Sequence, residues 1–172
     1  MSRYTPREEK LNTWSHALGV VFSVIVSYFL VSKAIESNNI WAIVSYPVFM
    51  LFLSTMFLSS TIYHAEKDEQ RKMQRRKFDH AAIYTQIAGS YTPYTLVVLR
   101  ENGAWGWTLF GIIWAAAVFG VALSFLSLKK GSKLETIGYV AMGWVVVVAF
   151  KPLIDVFQQT DSMNVLWWLI AV

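Results

Sequence analysis

The sequence predicts an all-α integral membrane protein, and its composition supports this prediction in three ways. The hydrophobic fraction of the 172 residues is 55%, only 15% are charged, and the apolar residues lie in long blocks. An average soluble domain carries roughly 25% charged residues, so the composition excludes that class. The chain contains no cysteine. Disulfides and thiolate metal ligands are therefore excluded, and any metal would be held by His, Asp or Glu.

The apolar blocks predict five transmembrane helices and the start of a sixth. Residues 1–13 are polar and lack the features of a secretory signal peptide. The first span has about 20 residues, which at about 1.5 Å per residue cross a ~30 Å hydrocarbon core. The sixth span, near Val165, has only about eight apolar residues, or about 12 Å of helix. We therefore expect residues 14–172 to be a truncated bundle, with spans at residues 14–34, 40–63, 81–99, 105–128 and 137–150.

The distribution of Lys and Arg predicts that the N-terminus is cytoplasmic, because short cytoplasmic loops are enriched in these residues. Only Lys33, Arg100 and Lys151 fall on the opposite face. The net charge of +4 is thus explained by topology, and we expect no binding of nucleic acid. The twelve Lys and Arg on the cytoplasmic face are Arg3, Arg7, Lys10, Lys67, Arg71, Lys72, Arg75, Arg76, Lys77, Lys129, Lys130 and Lys133.

Three predicted spans bring polar side chains to their cytoplasmic ends. His16 lies near the start of the first span, Ser60 and His64 near the end of the second, and Asp79 and His80 at the start of the third. Ionisable residues in membrane spans are candidates for function by default. The sequence therefore predicts a functional site at the cytoplasmic face.

Ser60 and His64 are four residues apart, so they share one helix face. Imidazole is a common metal ligand, and a hydroxyl one turn away can orient a water or a substrate carbonyl. Alternatively, the His extends to the membrane interface and the Ser bonds to its own helix backbone. The spacing leaves both interpretations open.

Asp79 opens the predicted third span and has two interpretations. An Asp at a helix N-terminus caps the helix and suits its dipole, and the spacing alone favours this role. Alternatively, Asp79 is a general base or holds a metal-bound water. His80 points about 100° away from Asp79 on a helix, so we expect a structural role for it.

Glu9, Asn12 and His16 form an E-x2-N-x3-H pattern that enters the first span. At helical spacing the three side chains lie near one stripe of the helix. We expect them to tie the first helix to its neighbours or to support the site indirectly.

Three ordered motifs resemble the hemolysin III branch of the progestin and adiponectin receptor superfamily. They are EKLNTWSHALG near the start, SSTIYH at the end of the second span, and FDHAAIYTQIAGSYTPY at the start of the third. The motifs occur in the order and at the spans that the family has, and the resemblance covers essentially the whole chain.

The resemblance implies a seven-transmembrane helix bundle with a zinc site near the cytoplasmic face, as in the related alkaline ceramidases. It implies that His64 is a zinc ligand, that Ser60 is the Ser of the motif, and that Asp79 holds the zinc-bound water. The other two zinc ligands would be an H-x3-H pair on a seventh span. The His residues of this sequence are His16, His64 and His80, and they include no such pair.

The resemblance thus implies a zinc-dependent intramembrane hydrolase of lipid amides or esters, in a bacterial cytoplasmic membrane. Its partners would be membrane lipids, one of them the substrate, and the sequence does not define an oligomeric state. One alternative is a membrane-damaging, pore-forming hemolysin, the activity for which the family is named. The other is a ligand-sensing receptor, by analogy with the animal relatives.

Overall fold

The computed structural model describes residues 4–126 and 133–159, and every regular element in these ranges is helical. A π-helical turn, Tyr94–Val98, extends the third α-helix, and a 3₁₀ segment, Val145–Ala149, joins the last two. The α-helices are α1 (Pro6–Glu36), α2 (Ile40–Ala65), α3 (Glu69–Pro93), α4 (Trp105–Leu126), α5 (Lys133–Trp144) and α6 (Phe150–Gln159).

Four helical stretches of the described chain are long and apolar enough to cross a membrane, which confirms the membrane fold. They are α1, α2, α4 and the stretch from Leu134 to Gln159 that combines α5 and α6. The α3 helix is not among them because charged residues fill its first half. The count of five spans stays a prediction, and the predicted start of a sixth, near Val165, lies outside the described residues.

The N-terminus of α1 is fixed by a capping box. The Thr5 backbone N–H donates to Glu8 Oε2 at 2.6 Å, and the Glu8 N–H donates to Thr5 Oγ1 at 3.3 Å. Such reciprocal bonds satisfy two backbone donors that a helix start leaves without partners. The α1 helix therefore begins eight residues before the predicted span, and Glu9, Asn12 and His16 lie on its first turns.

The prediction of a loop between the second and third spans is wrong, because α3 already begins at Glu69. The segment EQRKMQRRKF contains no Gly or Pro and is rich in residues with high helix propensity. Asp68 caps the helix, since its side chain accepts a hydrogen bond from the Arg71 N–H at 2.8 Å. Asp79 consequently lies in the interior of α3, and the interpretation of Asp79 as a helix cap is also wrong.

The helices pack in chain order, α1 on α2, α2 on α3 and α3 on α4. Tyr84 of α3 is almost fully buried against Ile113 and Ala117 of α4 and Met142 of α5. Gly120 of α4 lies directly under the Tyr84 ring. Small residues allow helices to approach closely in membranes. The core thus holds α3, the helix that bears Asp79, against α4 and α5.

The stretch formed by α5 and α6 is longer than the predicted fifth span and is interrupted by the 3₁₀ segment. Tyr91 of α3 satisfies the backbone at this break. Its hydroxyl donates toward the carbonyls of Met142 and Gly143, at 3.1 and 2.9 Å, and accepts from the Val146 N–H at 2.8 Å. Irregular backbone at membrane depth needs such partners.

Candidate functional site

The predicted site residues gather where α1 begins, α2 ends and α3 begins, which we call the basic end of the bundle. His64, on the last turn of α2, is at the centre of this region. Its Nδ1 lies 2.8 Å from Glu9 Oε2 of α1, and the two side chains are only 8% and 14% exposed. A carboxylate can only accept, so this bond fixes the proton of a neutral His64 on Nδ1 and leaves Nε2 with a free lone pair.

Lys72 of α3 completes a three-helix junction around Glu9. Its Nζ lies 2.8 Å from Glu9 Oε1 and 5.2 Å from the centre of the Tyr63 ring, and it donates to the Glu66 carbonyl at 3.3 Å. Lysine is almost never this buried unless it is paired. Glu9 therefore connects all three helices, through His64 on one side and Lys72 on the other.

The imidazole of His16 stacks on that of His64. The ring centres are 5.7 Å apart and the planes differ by only 5°. Tyr63 and Tyr4 contact the same His64 ring, with centres at 4.7 and 5.6 Å. The α1 helix thus contributes both a hydrogen-bond acceptor, Glu9, and a ring surface to His64.

Ser60 and Asp79 are buried at the same end of the bundle, at 7% and 9% exposure. Within the described part of the chain, neither side chain makes a hydrogen bond or an ion pair, so Ser60 is not bonded to its own helix backbone. The Asp79 carboxylate lies within electrostatic range of His16 and Tyr63. Their oxygen atoms remain accessible, since neither residue is among the described ones with a fully buried, unpaired N or O atom, so the two side chains can hydrogen-bond to a ligand.

His80 belongs to a second cluster. Its Nδ1 lies 2.9 Å from Glu135 Oε2 of α5, and Glu135 is buried. Tyr84 and Tyr139 donate hydrogen bonds to the backbone carbonyls of Glu135 and His80, both at 3.2 Å. This cluster joins α3 to α5.

Asn12 is half-buried on α1, and among the described residues its side chain makes no hydrogen bond.

The sequence did not predict two ion-pair partners at this end of the bundle, Lys72 for Glu9 and Glu135 for His80. Lys72 precedes Asp79 by seven residues, a spacing that places it on the same face of α3. Glu135 had no comparable signal, because only the fold brings α5 against His80.

The residues at the basic end meet one requirement of a zinc site but do not meet a second. Metal-ligating His residues usually donate their second ring N–H to a carboxylate, as His64 does to Glu9. However, the described residues contain no group of three or more His, Cys, Asp or Glu that could hold a metal. They provide one oriented imidazole and no complete set of ligands.

Comparisons with known proteins agree on one family. A family model described as "Haemolysin-III related" matches residues 4–172. The "Hemolysin-3 homolog" of Bacillus subtilis (strain 168) is 36% identical over 150 residues, which cover 87% of this chain and 70% of the relative. "Hemolysin-3" of Bacillus cereus is 34% identical over 157 residues, 90% of this chain and 71% of the relative. No solved structure matches the chain.

Proposed function

The chain belongs to the hemolysin III family of bacterial membrane proteins, and from this premise we propose that it is a zinc-dependent hydrolase. Its substrate would be a lipid amide or ester that enters at the cytoplasmic face. The observation that best supports this proposal is the burial of Ser60 and Asp79, without hydrogen-bond partners in the described chain, at the same end as an imidazole oriented by Glu9.

His64 is the proposed zinc ligand of this chain. Its Nδ1–H is held by Glu9, and Lys72 holds Glu9 in turn, so the ring is fixed with Nε2 available. The resemblance to the wider superfamily implies that two further ligands come from an H-x3-H pair. Neither remaining His serves as such a partner, because His16 stacks on His64 and His80 pairs with Glu135.

Bound zinc would polarise the substrate carbonyl and lower the pKa of water toward ~7. Asp79 would accept the proton of the attacking water, since a carboxylate near the reacting water is a suitable general base. The Ser60 hydroxyl would donate a hydrogen bond to the carbonyl oxygen as negative charge develops on it. The low exposure of both side chains would limit the access of bulk water and strengthen these interactions.

The test uses the full-length natural protein and measures zinc content together with the hydrolysis of a panel of lipid amides and esters. We expect about one zinc per chain in the wild type and in Asp79→Asn, and none in His64→Ala. Turnover should be lost in both variants. Asp68→Asn makes the same chemical change on the same helix and preserves the cap, so it should remain active. Absence of zinc from the wild type would overturn the proposal.

The names of the two Bacillus relatives favour one other function, the lysis of cells, for which we consider pore formation as the mechanism. A pore predicts ion flux in liposomes that is insensitive to Asp79→Asn, with no lipid turnover. A receptor predicts saturable ligand binding without turnover. The same purified variants therefore separate the three functions.

A further inference from the structure

Arg76 differs from the other partly buried cations on the first half of α3. Lys72 pairs with Glu9, Arg75 pairs with Glu66 at 2.9 Å, and Lys77 donates to the Phe125 carbonyl at 3.3 Å. Arg76 is also half-buried, yet it makes no hydrogen bond or ion pair with any residue that the structure describes. The guanidinium is accessible, since none of its nitrogens is among the fully buried, unpaired atoms of the described residues, and its N–H donors are available to bind an anion.

The position of Arg76 relates it to the candidate site. It precedes Asp79 by three residues, so the two side chains share a face of α3. Both lie within electrostatic range of Tyr63 of α2 and Tyr139 of α5. Arg76 therefore lies on the face of α3 that carries Asp79, about 4.5 Å nearer to the charged end of the helix.

The chemistry of this position fits a lipid headgroup. The five N–H donors of a guanidinium form a planar fork that matches phosphate. Basic pockets between transmembrane helices bind anionic headgroups on the cytoplasmic side. When the ester or amide carbonyl of a lipid lies at the depth of Asp79, the headgroup of that lipid lies nearer to water. Arg76 is displaced from Asp79 in the same direction.

We propose that Arg76 binds the phosphate of an anionic lipid whose carbonyl lies between Ser60 and Asp79, so that the substrate class is anionic phospholipid. The assignment of this lipid as the substrate rests on the proposed function. Binding is therefore measured in the Asp79→Asn variant of the full-length natural protein, with zinc chelated. Lipid binding and zinc-dependent turnover can then fail independently of each other.

The experiment titrates short-chain phosphatidylglycerol and phosphatidylcholine into protein in a neutral detergent. Arg76→Gln should weaken phosphatidylglycerol binding about tenfold, as expected for the loss of a charge-assisted bidentate contact. The matched control is Arg71→Gln, which removes the same charge from an exposed position on the same helix and should change the affinity by less than about twofold. An equal loss in both variants would mean non-specific attraction and would overturn the proposal.

Two further arms complete the test. Arg76→Lys keeps the charge but loses the planar fork, so we expect an affinity between those of the wild type and Arg76→Gln. If Arg76→Gln does not fold, the Arg76→Lys variant decides alone, and wild-type affinity in Arg76→Lys would overturn the proposal.

Inorganic phosphate should bind at least about tenfold more weakly than phosphatidylglycerol, because it lacks the acyl chains. Equal affinity would indicate a site for soluble phosphate and overturn the assignment to a lipid.

Discussion

At the scale of single residues, Glu9 determines how the site is assembled. One carboxylate oxygen lies 2.8 Å from His64 Nδ1 and the other 2.8 Å from Lys72 Nζ. A buried carboxylate needs such partners, since an unpaired charge at this depth is costly. The position of Glu9 in the E-x2-N-x3-H pattern therefore has a physical reason: it is the residue through which α1 reaches both α2 and α3.

Glu66, between α2 and α3, provides a prediction about pH. The Asp68 N–H holds the pKa of the Glu66 carboxyl below the ordinary value. The Lys67 N–H and the charges of Arg75 and Arg71 lower this pKa further, whereas burial raises it. Because the folded-state pKa is lowered, the stabilisation is present above the ordinary pKa of about 4.3 and is lost as pH falls through the lowered value.

We therefore expect the melting temperature of the wild type to fall more steeply between about pH 5 and pH 3 than that of Glu66→Gln, which has no carboxyl to protonate. Thermal unfolding in detergent at several pH values measures this difference. Parallel curves for the two proteins would contradict the role given to Glu66.

At the scale of elements, the sequence was most informative for the apolar helices and least informative for α3. The predicted second span, residues 40–63, agrees with α2 because its apolar run is flanked by polar residues. The start of α3 was missed because hydropathy separates lipid-facing from charged residues and does not detect a helix that continues into water. His64, Ser60 and Asp79 could be grouped from topology alone, whereas the Glu135 partner of His80 depends on how α5 packs.

The contact between the start of α4 and the turn after α3 yields a second prediction. A Cβ on Gly106 would lie 2.5 Å from the Thr95 carbonyl oxygen and 2.6 Å from Arg100 Cα, and these backbone atoms cannot rotate away. We expect Gly106→Ala to destabilise the protein by about 1–3 kcal/mol, the usual cost of overpacking. Among the described residues, no atom lies within 4 Å of a Cβ on Gly111, also in α4, so Gly111→Ala should be neutral or stabilise by up to about 1 kcal/mol.

Thermal unfolding of the two variants in the same detergent tests this difference. Equal melting temperatures would mean that α4 does not approach the turn as closely as the structure indicates. A loss in Gly111→Ala alone would point to a partner on the outer face of α4.

At the scale of the whole molecule, the buried charged side chains of the described chain lie at one end of an apolar bundle; they are Lys72, Asp79 and Glu135. Large side chains such as Tyr28 and Val118 are exposed along the helices, as expected for surfaces that face lipid. The two clusters, around His64 and around His80, both lie where α3 begins its apolar half. A substrate would therefore enter at one membrane face, and the orientation of the chain decides which face that is.

Because the chain contains no cysteine, single-cysteine variants can test this orientation directly. Gln70, on the first turn of α3, and Glu101, between α3 and α4, are both exposed and lie at opposite ends of the bundle. The excess of Lys and Arg around Gln70 predicts that this end is cytoplasmic. In right-side-out membrane vesicles, a membrane-impermeant maleimide should label Glu101→Cys at once and Gln70→Cys only after detergent is added. The reverse pattern would place Ser60, His64 and Asp79 at the outer face, and the proposed substrate would then be a lipid of the outer leaflet.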